Sequence, residues 1–264
     1  MKLKQRISSE VIFWLSHYLS LEQLLNVPCA FYNPFPLSIE TTFESMERYA
    51  NRLRVEWNLG SDSIPSVCRM LELAGVRILE MDWEDEVDGL YGWVNRSIPF
   101  MVLKKGVNVE RKRFTALHEL AHLLFPSINH LSFNLRERLC HRFASALLLP
   151  ENVVTAYIGP KRSQLLLREL SSLRSSYGIS VAATVHRLKD LNIINDEYYN
   201  HIFDERIKLN IMEEGWGIYP FIDESFRYQS LIQRALAENM ISEEELDKHL
   251  KGQEYKIIHD IEIM

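Results

Sequence analysis

Residues 118–122 read His-Glu-Leu-Ala-His and lie inside the apolar-periodic run FTALHELAHLLF, Phe114 to Phe125. On a helix, residues i and i+4 stand one above the other, so His118 and His122 can offer two imidazoles to one metal ion. Glu119 lies roughly 100° around the helix from His118. It can take a proton from a metal-bound water without joining the ligand set, which is the general-base arrangement of a zinc hydrolase. Three fixed residue types at this spacing arise by chance in on the order of one chain of this length in a hundred. The alternative is a helix with two partly exposed histidines one turn apart. Phe114, Leu117, Leu120, Ala121 and Leu124 predict a buried helix, where histidines need partners, and a metal is one.

A catalytic zinc keeps three protein ligands and one water. His130, Glu137 and His141 are downstream candidates for the third ligand. Glu137 opens the helical run ERLCHRFASALLL, which carries Cys140 and His141 on the same face. After a short loop an antiparallel helix can bring that face against His118 and His122. Spacing alone does not choose between Glu137 and His141.

The elements that must position these residues are readable from periodicity and punctuation. Helices are expected over residues 7–25, 39–58, a stretch capped by Ser63 that ends at Gly75, then 108–125, 134–148, 160–176, 180–191, 196–206, 225–240 and 242–251. Ser242 and Glu245 form a capping-box pair for the last of these. Strands are expected over 76–81, 90–94 and 99–103, with a turn near Asn95 and Arg96. PCAFYNPFP, residues 28–36, is an extended connector. Residues 213–222 are expected to be irregular, with Trp216, Tyr219 and Phe221 in a core or interdomain contact, and the tail from Gly252 to be frayed. The pattern is α+β, mostly helical, with one small sheet.

The chain has 264 residues, 47% hydrophobic and 25% charged, which excludes a disordered or fibrous chain. Its net charge of −6 makes it a poor general binder of nucleic acid. The cluster Lys104, Lys105, Arg111, Lys112 and Arg113 reads as a solvated helix start. Three scattered cysteines form no disulfide framework and fit a reducing compartment. No membrane-spanning run or signal peptide is visible, so the reading is a soluble, cytoplasmic protein with no membrane partner.

RFTALHELAHLL (113–124) followed by ERLCHRFASALLLP (137–150) resembles the signature of the ImmA/IrrE-type metallo-endopeptidases. The resemblance runs from about residue 38 to about residue 250. It implies a zincin-like peptidase domain with a small mixed sheet and a helical C-terminal region. It also implies one Zn2+ per chain, held by His118, His122 and Glu137, with Glu119 as catalytic base. Cys140 and His141 stand where the family usually has Ala-Asn. His141 can therefore orient the carboxylate or the water, and His141 and Tyr157 are candidates for an auxiliary oxyanion donor. Tyr91 and Trp93 are candidates for a sheet edge that binds substrate by strand addition.

The implied division is 1–37, a helix and connector left from a linker after an absent helix-turn-helix domain; 38–158, the peptidase domain; and 159–264, a helical region packed on it or regulatory. The implied activity is limited cleavage of one regulatory partner, a DNA-binding helix-turn-helix repressor, in a stress or mobile-element response, with no direct nucleic-acid binding. The rival reading is a non-proteolytic module that controls a repressor or toxin by contact.

Overall fold

The computed structural model describes residues 2–28, 30–83, 87–242, 244 and 260–264. In chain order the elements are α1 (Lys2–Leu24), α2 (Phe43–Glu56), α3 (Val67–Leu73), β1 (Arg77–Met81), β2 (Gly89–Val94), β3 (Ile98–Lys104) and α4 (Val109–Leu124). A 3-10 turn, Pro126–His130, leads to α5 (Phe133–Leu148), α6 (Glu151–Ile158), α7 (Leu167–Tyr177), α8 (Val181–Asp190) and α9 (Asp196–Ile202). A π-helical turn, Phe203–Ile207, precedes α10 (Arg227–Ala237) and β4 (Ile261–Ile263).

Side-chain caps set several of these starts. Thr42 and Ser45 exchange hydrogen bonds in a capping box at α2, 3.0 and 3.1 Å. Asn108 accepts from the backbone of Arg111 at 2.8 Å to open α4. The helix expected over 160–176 forms only from Leu167, and a separate, unexpected helix, α6, precedes residue 160. Gly159, at φ 97°, ends α6, and α7 starts only where Glu169 accepts from the backbone N–H of Leu166 at 2.8 Å. Nor does Ser63 cap the next helix. α3 begins later, and Cys68 N–H donates to the distant Asp223 at 2.9 Å. The helix expected over 242–251, with its Ser242–Glu245 pair, lies mostly outside the described residues, as does the tail over 252–259.

The chain packs as two compact units, one formed by residues 1–33, 68–106 and 223–264, the other by 34–67 and 107–222. The division expected at residues 37 and 158 follows chain order, whereas the packing interleaves segments. In the first unit the sheet order is β1-β3-β2-β4. β1 runs parallel to β3 with Arg77 opposite Phe100, and β2 runs antiparallel to β3 with Leu90 opposite Val102. Asn95 and Arg96 both take positive φ in the tight β2–β3 turn, which suits the twist of the hairpin. Val11, Leu15 and Tyr18 of α1 pack with Phe100 and Val102 of the sheet and Leu231 and Ala235 of α10. Helix α1 is therefore a core element of this unit. Glu22, Arg77 and Arg227 form its buried ion cluster, at 2.6 and 3.1 Å.

In the second unit α5 packs against α2, α4 and α8. Leu117, Leu120, Ala121 and Leu124 of α4 and Phe143, Ala144, Leu147 and Leu148 of α5 are buried. Phe125 joins the two helices edge-on to Phe143, with ring centroids 5.1 Å apart.

Candidate metal centre

The apolar stripe of α4 faces the core, which leaves His118 and His122 on an adjoining, nearly buried face, 9% and 7% exposed. The turn at Pro126–His130 brings α5 back along α4, so Glu137, Cys140 and His141 reach the same face. His118 Nε2 stands 3.1 Å from Glu137 Oε2 and 3.2 Å from His122 Nε2. His122 Nε2 is 3.6 Å from Glu137 Oε1. These separations bracket the edge of about 3.3 Å expected for a tetrahedron whose donors lie about 2.0–2.1 Å from its centre. The donor set also suits a borderline-soft ion such as zinc.

Cys140 adds a second candidate set. One donor atom each from His118, His122 and Cys140 lie within 4.8 Å of one another. Cys140 Sγ, however, approaches the other ring nitrogen of His122, Nδ1, at 3.7 Å. His118 Nδ1 is buried without a hydrogen-bond partner among the described residues. Arg136 donates to Glu137 Oε1 at 3.2 Å, a contact the sequence signals only as an adjacent cation. The His141 ring lies 4.7 Å from that of His118 and 5.7 Å from Phe114, at the exposed margin of the site.

The titratable groups are pushed apart. The hydrogen bond from His118, reinforced by the neighbouring imidazoles and Arg136, holds Glu137 down at about 2 against the opposing effect of burial. Burial, then the proximity of His118, lowers His122 and His141 to about 4 each. Burial raises Glu119 to about 7, with His118 opposing and Glu137 assisting. Burial also pushes the Cys140 thiol well up, so it stays protonated in the metal-free chain.

In the metal-free chain His122, His141 and Glu137 make the fold acid-labile, while Glu119, raised to about 7, acts in the opposite sense between about 7 and 4.5. Between about 4 and 6.5 the unfolded chain binds more protons at His122 than the folded chain does, so stability is full above 6.5 and falls toward 4. Glu137 acts in the same sense, its contribution being present above 4.5 and lost as pH falls toward about 2. Chelator-treated protein is expected to lose about 2 kcal/mol from His122 on acidification from neutrality to about pH 4, read as a falling Tm. His122→Asn should flatten that limb. An acid limb in the wild type no steeper than that of His122→Asn contradicts the assignment.

The other predicted site residues have different neighbours. Tyr157 is 58% exposed, and its ring lies edge-on to Tyr177, 6.4 Å away. His130 is exposed at the end of the 3-10 turn. Tyr91 and Trp93 lie on β2 in the first unit, and β2 is not a free edge. β3 pairs one side, and β4 pairs the other with Gly92 opposite Ile263 and Trp93 opposite Glu262. A strand whose Glu262 lies 169 residues from its partner Trp93 thus occupies the position expected for substrate. Arg113 is no solvated cation either. It is fully buried, donates to Ile64 O at 2.7 Å, and lies 4.5 Å over the Tyr219 ring.

Residues 71–189 match the family described as Peptidase_M78, IrrE N-terminal-like domain. No curated protein matches the chain. Among solved structures, a Mycobacterium tuberculosis transcriptional regulator is similar at 15% identity and a TM-score of 0.42, covering 67% of this chain and 52% of that one. The chain spans about half the length of that regulator. Residues 71–189 take in β1 to β3, the His-Glu-Leu-Ala-His helix α4 and all of α5, so the stretch that is similar to the Peptidase_M78 IrrE N-terminal-like domain is the one that carries the converging His118, His122 and Glu137.

Proposed function

We propose that the chain is a zinc-dependent endopeptidase that makes a limited cut in one partner regulatory protein, a helix-turn-helix repressor, in a stress or mobile-element response. The observation that carries this reading is the convergence of His118 Nε2, His122 Nε2 and the Glu137 carboxylate within 3.1–3.6 Å, with Glu119 on the same helix. His118, His122 and Glu137 would hold one zinc ion. When bound, zinc supplies Lewis acidity, lowering the pKa of a water and polarising a carbonyl. Arg136 keeps the Glu137 carboxylate oriented. The Glu119 carboxyl, raised to about 7, can both accept a proton and return it to a leaving amine near neutral pH. His141, beside His118 at the open margin, would orient the carboxylate or the substrate. A net charge of −6 supports a protein partner over direct nucleic-acid binding. No described helix is long and apolar enough to cross a membrane, which agrees with a cytoplasmic role.

The His118–His122–Cys140 group favours a second coordination reading, with Cys140 in place of Glu137. Glu137→Ala is expected to lower metal affinity at least 100-fold, while Cys140→Ser, next to His122, costs about 10-fold or less. Elemental analysis of both variants reads this directly, and cobalt substitution adds a thiolate charge-transfer band only if Cys140 ligates. The reverse ranking assigns the third ligand to Cys140. Cleavage is tested by incubating zinc-loaded chain with candidate helix-turn-helix repressors and mapping products by mass spectrometry. A single cut made by wild type and not by Glu119→Gln supports the protease. Function that survives Glu119→Gln supports the contact-only module.

A further inference from the structure

The segment from Lys208 to Ile222 turns an apolar surface outward that neither the core nor the metal centre uses. Leu209, Ile211, Met212, Ile218, Phe221 and Ile222 are each 60–79% exposed. The expectation of Phe221 in a core contact is thereby corrected, while Tyr219 is indeed buried. The backbone that presents these side chains is firmly tied down. Asn210 bonds the N–H and C=O of Glu214 at 3.1 and 3.0 Å. The buried Glu213 carboxylate accepts from Val181 N–H and Ala182 N–H at 2.8 Å each, at the start of α8, and pairs with Arg174 at 3.3 Å. Tyr219 is pinned beneath Arg113 and donates to Pro65 O at 3.2 Å. A strap held at two buried anchors displays its apolar residues as a fixed surface, not by fraying.

The size and chemistry of this surface point to its occupant. Six large side chains, each showing on the order of 100 Å2 or more, present roughly 600–800 Å2. Summed along the strap, this area approaches the roughly 800 Å2 each partner gives to a standard interface. Transient interfaces are about as apolar as the rest of a protein surface, whereas homodimer interfaces are more so. The exposed charges beside the strap carry both signs, Asp204, Glu205 and Glu214 with Arg206 and Lys208. A two-fold axis sets such a patch against its own copy, so mixed charge is self-complementary there. We propose that a second copy of this chain docks on the strap, forming an isologous dimer through residues 208–222. This proposal is independent of the protease reading.

The test is sedimentation equilibrium of the metal-loaded chain across micromolar concentrations. Wild type is expected at twice the 31.0 kDa chain mass. Ile211→Asp with Ile218→Asp should weaken association by about 30-fold or more, the effect of losing a central hot spot. Both positions are exposed, so the variant should keep the wild-type circular dichroism and Tm. Ile218→Cys treated with a short bismaleimide should cross-link chain to chain. A wild-type monomer throughout, or a dimer that survives both aspartates and fails to cross-link, overturns the proposal. A monomer that gains mass only with a candidate repressor assigns the strap to that partner instead.

Discussion

Glu119→Gln is expected to keep its zinc and lose cleavage by about 10²- to 10⁴-fold in kcat, with KM little changed. Glutamine preserves the size and hydrogen-bonding shape of the side chain but has no site that accepts and returns a proton. Glu119 lies outside the converging donor set of His118, His122 and Glu137. Its raised pKa of about 7 comes mainly from burial, which the neutral amide does not suffer, so the variant should fold at least as well as wild type. Elemental analysis and single-turnover cleavage, measured on the same preparation, separate metal loss from loss of the base. A variant that cuts within a few-fold of the wild-type rate moves the base to another group, His141 being the nearest by position.

Arg187→Met is expected to destabilise the second unit by about 3–5 kcal/mol, because it takes one of two cations from a buried carboxylate. Arg187 is fully buried. It pairs with both oxygens of Glu47, one of them at 2.5 Å, and donates to Leu149 O at 3.0 Å. Arg142 shares the same carboxylate at 3.0 Å. The cluster ties α2, α5 and α8 together, and α5 carries Glu137, Cys140 and His141. At about 2–4 °C per kcal/mol for a domain of this size, Tm should fall by roughly 10 °C or more. Denaturant titration checks the value. The double variant Glu47→Leu with Arg187→Met should recover part of the loss, since the buried carboxylate is gone and Arg142 keeps Asp190 as its partner at 3.2 Å. A single variant within about 1 kcal/mol of wild type shows that the clamp is not what holds α5.

The sequence by itself determined what depends on near neighbours along the chain. Helical geometry stacks His118 over His122 whatever surrounds them, and it keeps Glu119 off that line. Pro126 ends α4, and the run after Ser132 can only be another helix, so Glu137, Cys140 and His141 had to share one face. The short apolar runs at 90–94 and 99–103 and the turn at Asn95 and Arg96 made the hairpin legible for the same reason. Tertiary packing decided the rest. Which of Glu137, Cys140 and His141 faces which imidazole nitrogen depends on the roll of α5 against α4, and no local pattern encodes that roll. Glu262 of β4 meets Trp93 of β2 across 169 residues of chain, Arg187 meets Glu47 across 140, and Asp223 reaches Cys68 across 155. Each is a pairing between distant segments, carried by no periodicity and formed only because buried polar groups and open strand edges must find partners once the chain has collapsed.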